Sequence, residues 1–477
     1  MGFLQELPKY RSQIYVSLMI FVSFFLYAGQ EILLGTCLLD MEIQVQQDFA
    51  TTSRLITSHS MGYFFGAVIV TLYDKHLNDF VSMSAGLSLA GIALIIIPFV
   101  YNFYVVAITS LLSGIGHSIY DLKCHIALTC LWGPEKVGNS LQILHMFFGL
   151  GALFCPAFVR IFLLPIPDDM MNDYEAYKNL YKPEDVQIMW PFIIFGTPSI
   201  IFGIFFLYYY FNCPYSEAQQ EERRNNEKNC KSIENGDSKA DPTKSSGHPK
   251  WKIFLAVALV GAMAHLAFAM GQIVCSYVQA FGVKSSLHMD KQTAALVATV
   301  FWTSFTLARG LFVGLTIILP EQSVVNVCLL MMVASTVLLL GFLTASPICL
   351  WVTAVLLGAG NSPLFPVAYS LIGKYFPLTG QHTSLIFLSG IIGDAIHTSI
   401  SGTFINDDPM IFAYYVGAIV GGFTLLSFSL PFICRKIFGE MPKNAEDAES
   451  KGRSRIGSFM MPPLPQSRNN STTPSIY

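Results

Sequence analysis

The chain alternates long apolar segments with short polar connections, and this alternation predicts a protein built from membrane-spanning helices. A helix that crosses a bilayer needs about 20 consecutive, mainly apolar residues. The twelve segments that we interpret as spans run approximately over residues 12–36, 55–73, 80–99, 103–133, 139–163, 189–210, 252–282, 291–318, 324–345, 349–373, 380–404 and 410–436. The pattern therefore predicts an all-α membrane protein with 12 transmembrane helices.

A polar stretch separates the first six predicted spans from the last six. Residues 211–250 are rich in Glu, Asn, Lys, Ser and Gly, a composition typical of a solvated linker. We predict an N-terminal six-helix bundle over 1–210, a cytoplasmic linker over 211–250 and a C-terminal six-helix bundle over 251–438. A disordered cytoplasmic tail is predicted over 439–477. Two such halves, related by a pseudo-twofold axis, would place a site near the membrane midplane.

The composition agrees with a membrane protein and excludes several other classes. Of the 477 residues, 53% are hydrophobic and 12% are charged, whereas soluble domains have about 25% charged residues. A net charge of −3 gives no indication of a nucleic-acid partner. The ten cysteines include no Cys-x-x-Cys pair, so we expect neither a disulfide framework nor a cysteine metal site.

The distribution of basic residues predicts the orientation in the membrane. If the N-terminus is cytoplasmic, eight basic residues from Arg223 to Lys252 lie on the cytoplasmic side. The loop over 165–188, on the opposite side, is instead rich in aspartate and glutamate. Because cytoplasmic loops carry an excess of lysine and arginine, we predict that both termini are cytoplasmic.

The fourth predicted span carries four ionisable residues near its middle, namely His117, Asp121, Lys123 and His125. A charge at the centre of a membrane helix costs about 2.5–3.5 kcal/mol on insertion scales. The four-residue spacing places His117, Asp121 and His125 on one helical stripe, which favours a polar lining of a solute pathway. The alternative is that these groups pair with neighbouring helices and only hold the bundle together. Lys123 lies on roughly the opposite side, where we expect a paired or snorkelling ammonium group.

Uncharged hydrogen-bonding groups outnumber charges in the predicted core, which suits a neutral, hydroxyl-rich solute better than an organic ion. The candidate substrate- or ion-binding residues are Asp121, His117, His125, Gln142, His145, Gln272, Trp302, Asn361 and Asp394. Arg309 and Asp74 are candidates for a gate or for structural ion pairs. No catalytic residue and no metal ligand is assigned.

Two local patterns predict how particular spans pack. Gly62 and Gly66 form a small-xxx-small pair, which predicts close contact between helices. Pro363 and Pro366 follow Asn361 in the tenth span, and each proline removes a backbone donor. We therefore expect a bent or opened helix there that faces the central cavity, where irregular backbone is tolerated.

Short motifs spread over nearly all of the predicted membrane region match one family of transporters. In chain order they are Gly35 to Asp40, Gly62-Tyr63 with Asp74, Asp121 with Trp132-Gly133, Gln142 with Leu144-His145, Gly151-Ala152 with Pro156, Phe301-Trp302 with Arg309, Phe365-Pro366, Thr379-Gly380, Thr383-Ser384 and Gly393. With these motifs the chain resembles the major facilitator superfamily, and within it the sodium-dependent glucose transporter 1 group of the domain-containing-4 branch. The chain departs from the group at His125, where the group tends to have Asn, and at Asp394, where it tends to have Glu.

The resemblance implies a function as well as a fold. It implies two six-helix bundles of the major facilitator fold and a secondary active transporter rather than an enzyme. The implied substrate is a neutral sugar, a glucose-like hexose, carried by symport with sodium through alternating access. Na⁺ or H⁺ would be the coupling ion, with no further cofactor. The expected partners are thus the small-molecule sugar, the coupling cation and the lipid bilayer. The protein is expected to be a monomer in the plasma membrane.

Three alternatives remain open from the sequence. The first keeps the fold but makes the chain a proton-coupled or uncoupled transporter of another small solute. The second is a metal-binding membrane enzyme in which His117, Asp121 and His125 supply ligands from one stripe. The third is a receptor or scaffold that does not transport.

The predicted orientation is testable at Cys230 in the linker. Because the linker is predicted to be cytoplasmic, a membrane-impermeant thiol reagent added to intact cells should leave Cys230 unmodified and should modify it after permeabilisation. The Cys230→Ser variant identifies the signal that belongs to this residue. Modification of Cys230 in intact cells would show that the orientation is inverted.

Overall fold

The computed structural model describes residues 11–73, 77–212, 249–318, 321–342, 346–376, 380–405 and 407–439. The described residues form helices and connecting turns, with no strand among them. The helices are α1 (Arg11–Thr36), α2 (Leu38–Gln44), α3 (Phe49–Tyr73), α4 (Asp79–Ile96), α5 (Phe103–Val159), α6 (Tyr174–Leu180), α7 (Met189–Asn212), α8 (Lys250–Lys284), α9 (Lys291–Ile318), α10 (Glu321–Gly341), α11 (Ile348–Asn361), α12 (Leu364–Gly373), α13 (Gly380–Phe404) and α14 (Ile411–Phe438). The gate candidate Asp74, nearly all of the predicted linker and the tail lie outside the described residues.

Eleven helical segments in the described part of the chain are long and apolar enough to cross a bilayer. The remaining predicted span, the tenth (residues 349–373), is present as two shorter helices, α11 and α12, separated by Ser362 and Pro363. The expected all-helical membrane architecture is confirmed.

The interruption between α11 and α12 has a local cause. Pro366 has no backbone N–H, so the carbonyl of Ser362 receives no helical hydrogen bond from one turn later. Arg309 of α9 donates to that carbonyl from Nη2 at 3.2 Å, and its guanidinium carbon lies 4.6 Å from the ring centre of Phe305. The opened backbone predicted from the two prolines is therefore confirmed. The carbonyl group left without a helical donor accepts a hydrogen bond from a side chain of another helix.

α5 contains both the fourth and the fifth predicted spans. The backbone remains helical between residues 133 and 139, where the sequence analysis placed a connection. In a straight helix, 20 residues rise about 30 Å, yet the rings of His125 and His145 are 5.3 Å apart. α5 is therefore a helical hairpin, with a first arm over Phe103–Trp132 and a second arm that begins at Ser140 and ends with the helix at Val159.

Asparagine side chains fix the starts of two spans. The Asn78 side chain accepts hydrogen bonds from the backbone of Phe80 and Val81 at the start of α4. Asn102 does the same for the first turn of α5. Such caps satisfy orphan donors and contribute about 1 kcal/mol each.

The helices pack as two bundles that meet along a shared face. α1, α3, α4, α5 and α7 contact one another, and α8 to α14 form the second group. Between the groups, α3 packs on α13, α5 on α9 and α1 on α8. Glycine permits the closest crossings, because a Cβ at Gly35 would lie 2.7 Å from Ser276 Cα and one at Gly149 would lie 2.0 Å from Thr306 Oγ1.

Buried ion pairs join the two bundles at the end of the molecule where α2 lies, which we call the Asp40 end. Asp40 of α2 accepts a short hydrogen bond from Lys291 at the start of α9, and both residues are fully buried. The Asp40 carboxylate also accepts from the backbone N–H of Leu164 at 2.9 Å. These contacts fix α2 to the second bundle.

Glu42 forms a second set of contacts at the Asp40 end. Its buried carboxylate lies 3.1 Å from the ammonium of Lys178 and 3.5 Å from that of Lys284. Tyr174 donates to the same carboxylate at 2.9 Å. Burial, together with the Glu42 charge, raises the pKa of Tyr174 well above its usual value, so the phenol stays protonated and keeps donating.

We predict that the pair between Asp40 and Lys291 stabilises the closed Asp40 end. The Lys291→Met variant leaves a buried carboxylate without its cation, a loss that costs about 3–5 kcal/mol. The unfolding temperature of the purified variant should therefore fall clearly. The double variant Asp40→Asn, Lys291→Met removes both charges and should recover much of the loss.

Lys178→Met is the matched control for this experiment. Its side chain is 18% exposed, and Glu42 retains Lys284 as a partner. The loss of Lys178 therefore leaves no buried charge without a partner, and this variant should lose much less stability than Lys291→Met. Equal stability of Lys291→Met and wild type would show that the buried pair does not hold the two bundles together.

Candidate functional site

Three helices of the first bundle each present two polar residues spaced by four along the chain. This spacing places both residues of a pair on the same face of their helix. The pairs form two stacked layers across α1, α3 and the first arm of α5. The acid–histidine layer consists of Glu31, His59 and His117. The tyrosine–aspartate layer consists of Tyr27, Tyr63 and Asp121.

Glycines bring α3 and α5 close enough to form these layers. A Cβ at Gly62 would lie 1.9 Å from the carbonyl oxygen of Leu111, and one at Gly114 would lie 2.0 Å from that of His59. Backbone cannot yield to such contacts, so only glycine fits at these crossings. The close packing predicted from Gly62 and Gly66 is confirmed, and it sets His59 opposite His117.

Short polar contacts define the acid–histidine layer. His59 Nε2 lies 2.9 Å from His117 Nδ1. Glu31 Oε2 lies 3.1 Å from His117 Nδ1, and Glu31 Oε1 lies 3.7 Å from His59 Nδ1. The remaining nitrogen of His117 is 2.9 Å from Gln30 Oε1. The two histidines are almost completely buried, whereas the Glu31 side chain is 12% exposed.

The tyrosine–aspartate layer surrounds one carboxylate. Tyr63 donates a short hydrogen bond to Asp121, and the hydroxyl of Tyr27 is 3.5 Å from that of Tyr63. His125 Nδ1 lies 2.9 Å from the backbone carbonyl oxygen of Asp121 and 3.4 Å from its Oδ1. The other His125 nitrogen is 3.5 Å from His145 Nε2 on the second arm. Asp121, His125 and His145 are therefore brought together.

Lys123 has no part in this site. Its fully buried ammonium lies 3.0 Å from the Asp79 carboxylate and 3.2 Å from the carbonyl oxygen of Leu77. The prediction that Lys123 is paired on the opposite side of the helix is confirmed. Arg309 is also engaged elsewhere, at Ser362. Within the described ranges, Asp121 forms no ion pair with a lysine or an arginine, and the titratable side chain that faces its carboxylate is His125, at 3.4 Å.

The stripe proposed as a metal site does not converge. His117 joins Glu31 and His59, whereas Asp121 and His125 belong to the neighbouring polar group. Eight residues of helix separate His117 from His125, a rise of about 12 Å, so one ion cannot bind both. The hypothesis that these three residues bind one metal ion in a membrane enzyme is therefore wrong.

The second bundle contributes candidate residues from several helices. Ser60, the neighbour of His59, donates to Asp394 of α13 at 3.3 Å, and this contact joins the two bundles beside the layers. Asn361 donates to the carbonyl of Ala267 at 3.2 Å, while its buried Oδ1 accepts no hydrogen bond from the part of the chain that the structure describes.

Trp302 is buried at the face between the bundles. Its ring lies 5.7 Å from that of Phe148 on the second arm of α5. It also packs against Phe301 and Phe305 of its own helix. Only 6% of the residue is exposed, so its present role is packing between the bundles.

The two glutamine candidates occupy different surroundings. Gln142 is exposed, as are its apolar neighbours Ile143 and Met146 on the second arm of α5, and it lies outside the two layers. Gln272 is half-buried in α8 and, among the described residues, forms no hydrogen bond.

Sequence reasoning selected His125 but missed the other residues that complete the two layers around Asp121 and His117. Glu31, His59, Tyr27 and Tyr63 were absent from the candidate set. One signal could have found them, because the spacing of four between two polar residues recurs as Tyr27 and Glu31, His59 and Tyr63, and His117 and Asp121. Three spans with one repeated polar spacing indicate stacked layers rather than a single stripe.

Comparison with known proteins identifies the family that has this architecture. Residues 17–284 match the family model of the Major Facilitator Superfamily. The chain is 22% identical over 393 residues to mouse sodium-dependent glucose transporter 1A, covering 79% of this chain and 87% of the relative. It is 22% identical over 448 residues to major facilitator superfamily domain-containing protein 4A of zebrafish (Danio rerio), covering 83% and 84%.

A solved structure supports the same fold. The crystal structure of the D-xylose-proton symporter superimposes with a TM-score of 0.66 at 11% identity, over 90% of this chain and 99% of that one. The family match and the neighbouring transporter structure indicate a transporter of a small molecule rather than an enzyme. The chain, a multi-pass membrane protein with its polar layers at the centre of one bundle, belongs to the major facilitator superfamily.

Proposed function

We propose that the chain is a secondary active transporter of a neutral sugar, a glucose-like hexose, coupled to a cation by alternating access. The observation that carries this proposal is the Asp121 carboxylate. It lies in mid-span, is 18% exposed, and has no lysine or arginine partner among the described residues. A buried acid without a permanent cation needs an exchangeable one.

The surroundings of Asp121 suit a small monovalent cation. The carboxylate and the Tyr63 hydroxyl supply oxygen atoms, which are the ligands that hard cations prefer. We propose sodium as the coupling ion. When sodium binds, the charge of Asp121 is neutralised and the pathway can close over it.

Uncharged groups around the layers suit a hydroxyl-rich substrate. Tyr27 and Tyr63 present hydroxyls from the first bundle. From the second bundle, Gln272 and the Oδ1 atom of Asn361 offer hydrogen-bonding groups without a partner among the described residues. Trp302 supplies an apolar ring at the face between them. A few placed polar groups on an apolar surface are typical of small-molecule sites. The names of the relatives support a hexose in particular.

Alternating access would require the two bundles to separate at one end and approach at the other. In the present structure the Asp40 end is held closed by Asp40 with Lys291 and by Glu42 with Lys284. With both termini in the cytoplasm of a plasma-membrane monomer, this end would face the outside. The structure then corresponds to a state closed to the exterior.

A second candidate keeps the fold and changes the coupling. His125 Nδ1 lies 3.4 Å from the Asp121 carboxylate, and His145 follows at 3.5 Å. This chain of titratable groups would suit a proton-coupled transporter of a small solute, because histidine exchanges protons near neutral pH.

The Asp121→Asn variant tests the role of the carboxylate. The amide imitates the neutralised acid without a change in volume, so the protein should fold, reach the membrane and exchange labelled glucose across it. Sodium should no longer drive accumulation, a loss of about tenfold if the two sites are coupled as is typical. Uptake of labelled glucose and its counterflow in proteoliposomes, with and without sodium, measure the two effects separately.

The Asp79→Asn variant is the matched control, because it also removes a membrane acid, one that pairs with Lys123. It should lower the yield of folded protein and leave the sodium dependence of the remaining transport intact. Sodium-driven accumulation at the wild-type level in Asp121→Asn would exclude coupling at this residue. Accumulation that follows a pH gradient and ignores sodium would favour the second candidate.

A further inference from the structure

The acid–histidine layer brings three metal-ligand groups from three helices into one buried place. Glu31 comes from α1, His59 from α3 and His117 from α5, and the ligand atoms of the three lie within 4.8 Å of one another. The shortest separations are 2.9 Å between the histidine nitrogens and 3.1 Å between Glu31 Oε2 and His117 Nδ1. The proposed transport mechanism does not use this layer.

Gln30 determines which nitrogen of His117 carries its proton. Its Nε2 atom donates to the backbone carbonyl of Phe195 at 2.8 Å, and a carbonyl can only accept. The Gln30 Oε1 atom therefore faces His117 Nε2 at 2.9 Å, and that nitrogen must be the donor. A neutral His117 consequently directs the lone pair of Nδ1 at Glu31 and His59.

The acid–histidine layer therefore brings several lone pairs of nitrogen and oxygen atoms close together. His117 Nδ1 and Glu31 Oε2 are 3.1 Å apart, and the buried Oε2 atom accepts no hydrogen bond from the described residues. A neutral His59 has a proton on only one ring nitrogen, so it can donate only one hydrogen bond within the layer. The layer therefore offers a place for a positive ligand that accepts several electron pairs at once.

Coordination chemistry identifies the class of ion. Two imidazole nitrogens and one carboxylate form a ligand set typical of zinc, whereas sodium, magnesium and calcium prefer oxygen atoms. Zinc–ligand bonds of 2.0–2.2 Å in a tetrahedron place the ligand atoms roughly 3.3 Å apart, close to the two shortest separations here. The bond from His117 to Gln30 is the outer-shell contact that metal-binding histidines usually make.

We propose that Glu31, His59 and His117 form a binding site for a divalent transition-metal ion of the zinc class. This departs from the sequence analysis, which assigned no metal ligand. The ion would tie α1, α3 and α5 together inside the first bundle. Asp394 of the second bundle reaches Ser60, next to His59, so a bound ion would also act on the contact between the bundles. Metal binding here does not depend on the coupling role of Asp121.

Thermal unfolding of the purified full chain tests the site without any transport measurement. After treatment with a chelator, zinc or nickel should raise the unfolding temperature by about 3 °C or more at saturation. Magnesium and calcium at the same concentration should have no such effect. Elemental analysis after gel filtration should find zinc bound to the wild-type chain. The His59→Gln and Glu31→Gln variants should lose both the shift and the bound zinc.

The His265→Gln variant is the control, because the second bundle contains a histidine pair outside the layer. His265 and His397 are 2.9 Å apart, and Tyr415 lies 2.7 Å from His397. Zinc should stabilise His265→Gln as it does wild type. The proposal is wrong if the shift persists in His59→Gln, if it disappears only in His265→Gln, or if no metal shifts the wild type. In the last case a proton rather than a metal completes the layer.

Discussion

The free energy required to bury a charge in an apolar, membrane-embedded interior governs how this molecule is put together. Lys123 is fully buried and is matched by Asp79 from a neighbouring helix. Asp40 is buried with Lys291 from the other bundle. Because an uncompensated buried charge costs several kcal/mol, each pair selects one arrangement of its helices. Asp121 has no such lysine or arginine among the described residues, and this is the reason for which a coupling cation is proposed there.

Close helix packing supplies the geometry that these charges need. Glycines at positions 62 and 114 let α3 and α5 approach until backbone meets backbone. The same approach aligns residues spaced by four on each helix, so that His59 meets His117 and Tyr63 meets Asp121. The local packing motif and the polar layers are therefore consequences of one contact. A larger residue at either glycine would separate the layers as well as the helices.

The contacts between the bundles connect this site to alternating access. At the Asp40 end the two bundles are joined by buried ion pairs, and nearer the layers they are joined by Ser60 with Asp394. Ser60 follows His59 in the same helix turn, so the inter-bundle contact with Asp394 lies one residue of backbone away from the acid–histidine layer. A cation at Asp121 and a metal at the acid–histidine layer would act on that contact from adjacent layers of α3.

The sequence by itself predicted the spans and the opened tenth span and selected Asp121 as a candidate, because hydropathy, proline and intramembrane charge act locally along the chain. It also carried the family resemblance. The sequence did not determine which groups meet. His117 contacts Glu31 and His59, whereas His125 contacts Asp121. A helical period shows which residues share a face and leaves open which helix that face meets. Only the tertiary structure decides this, because partners come from the packing of helices far apart in the chain.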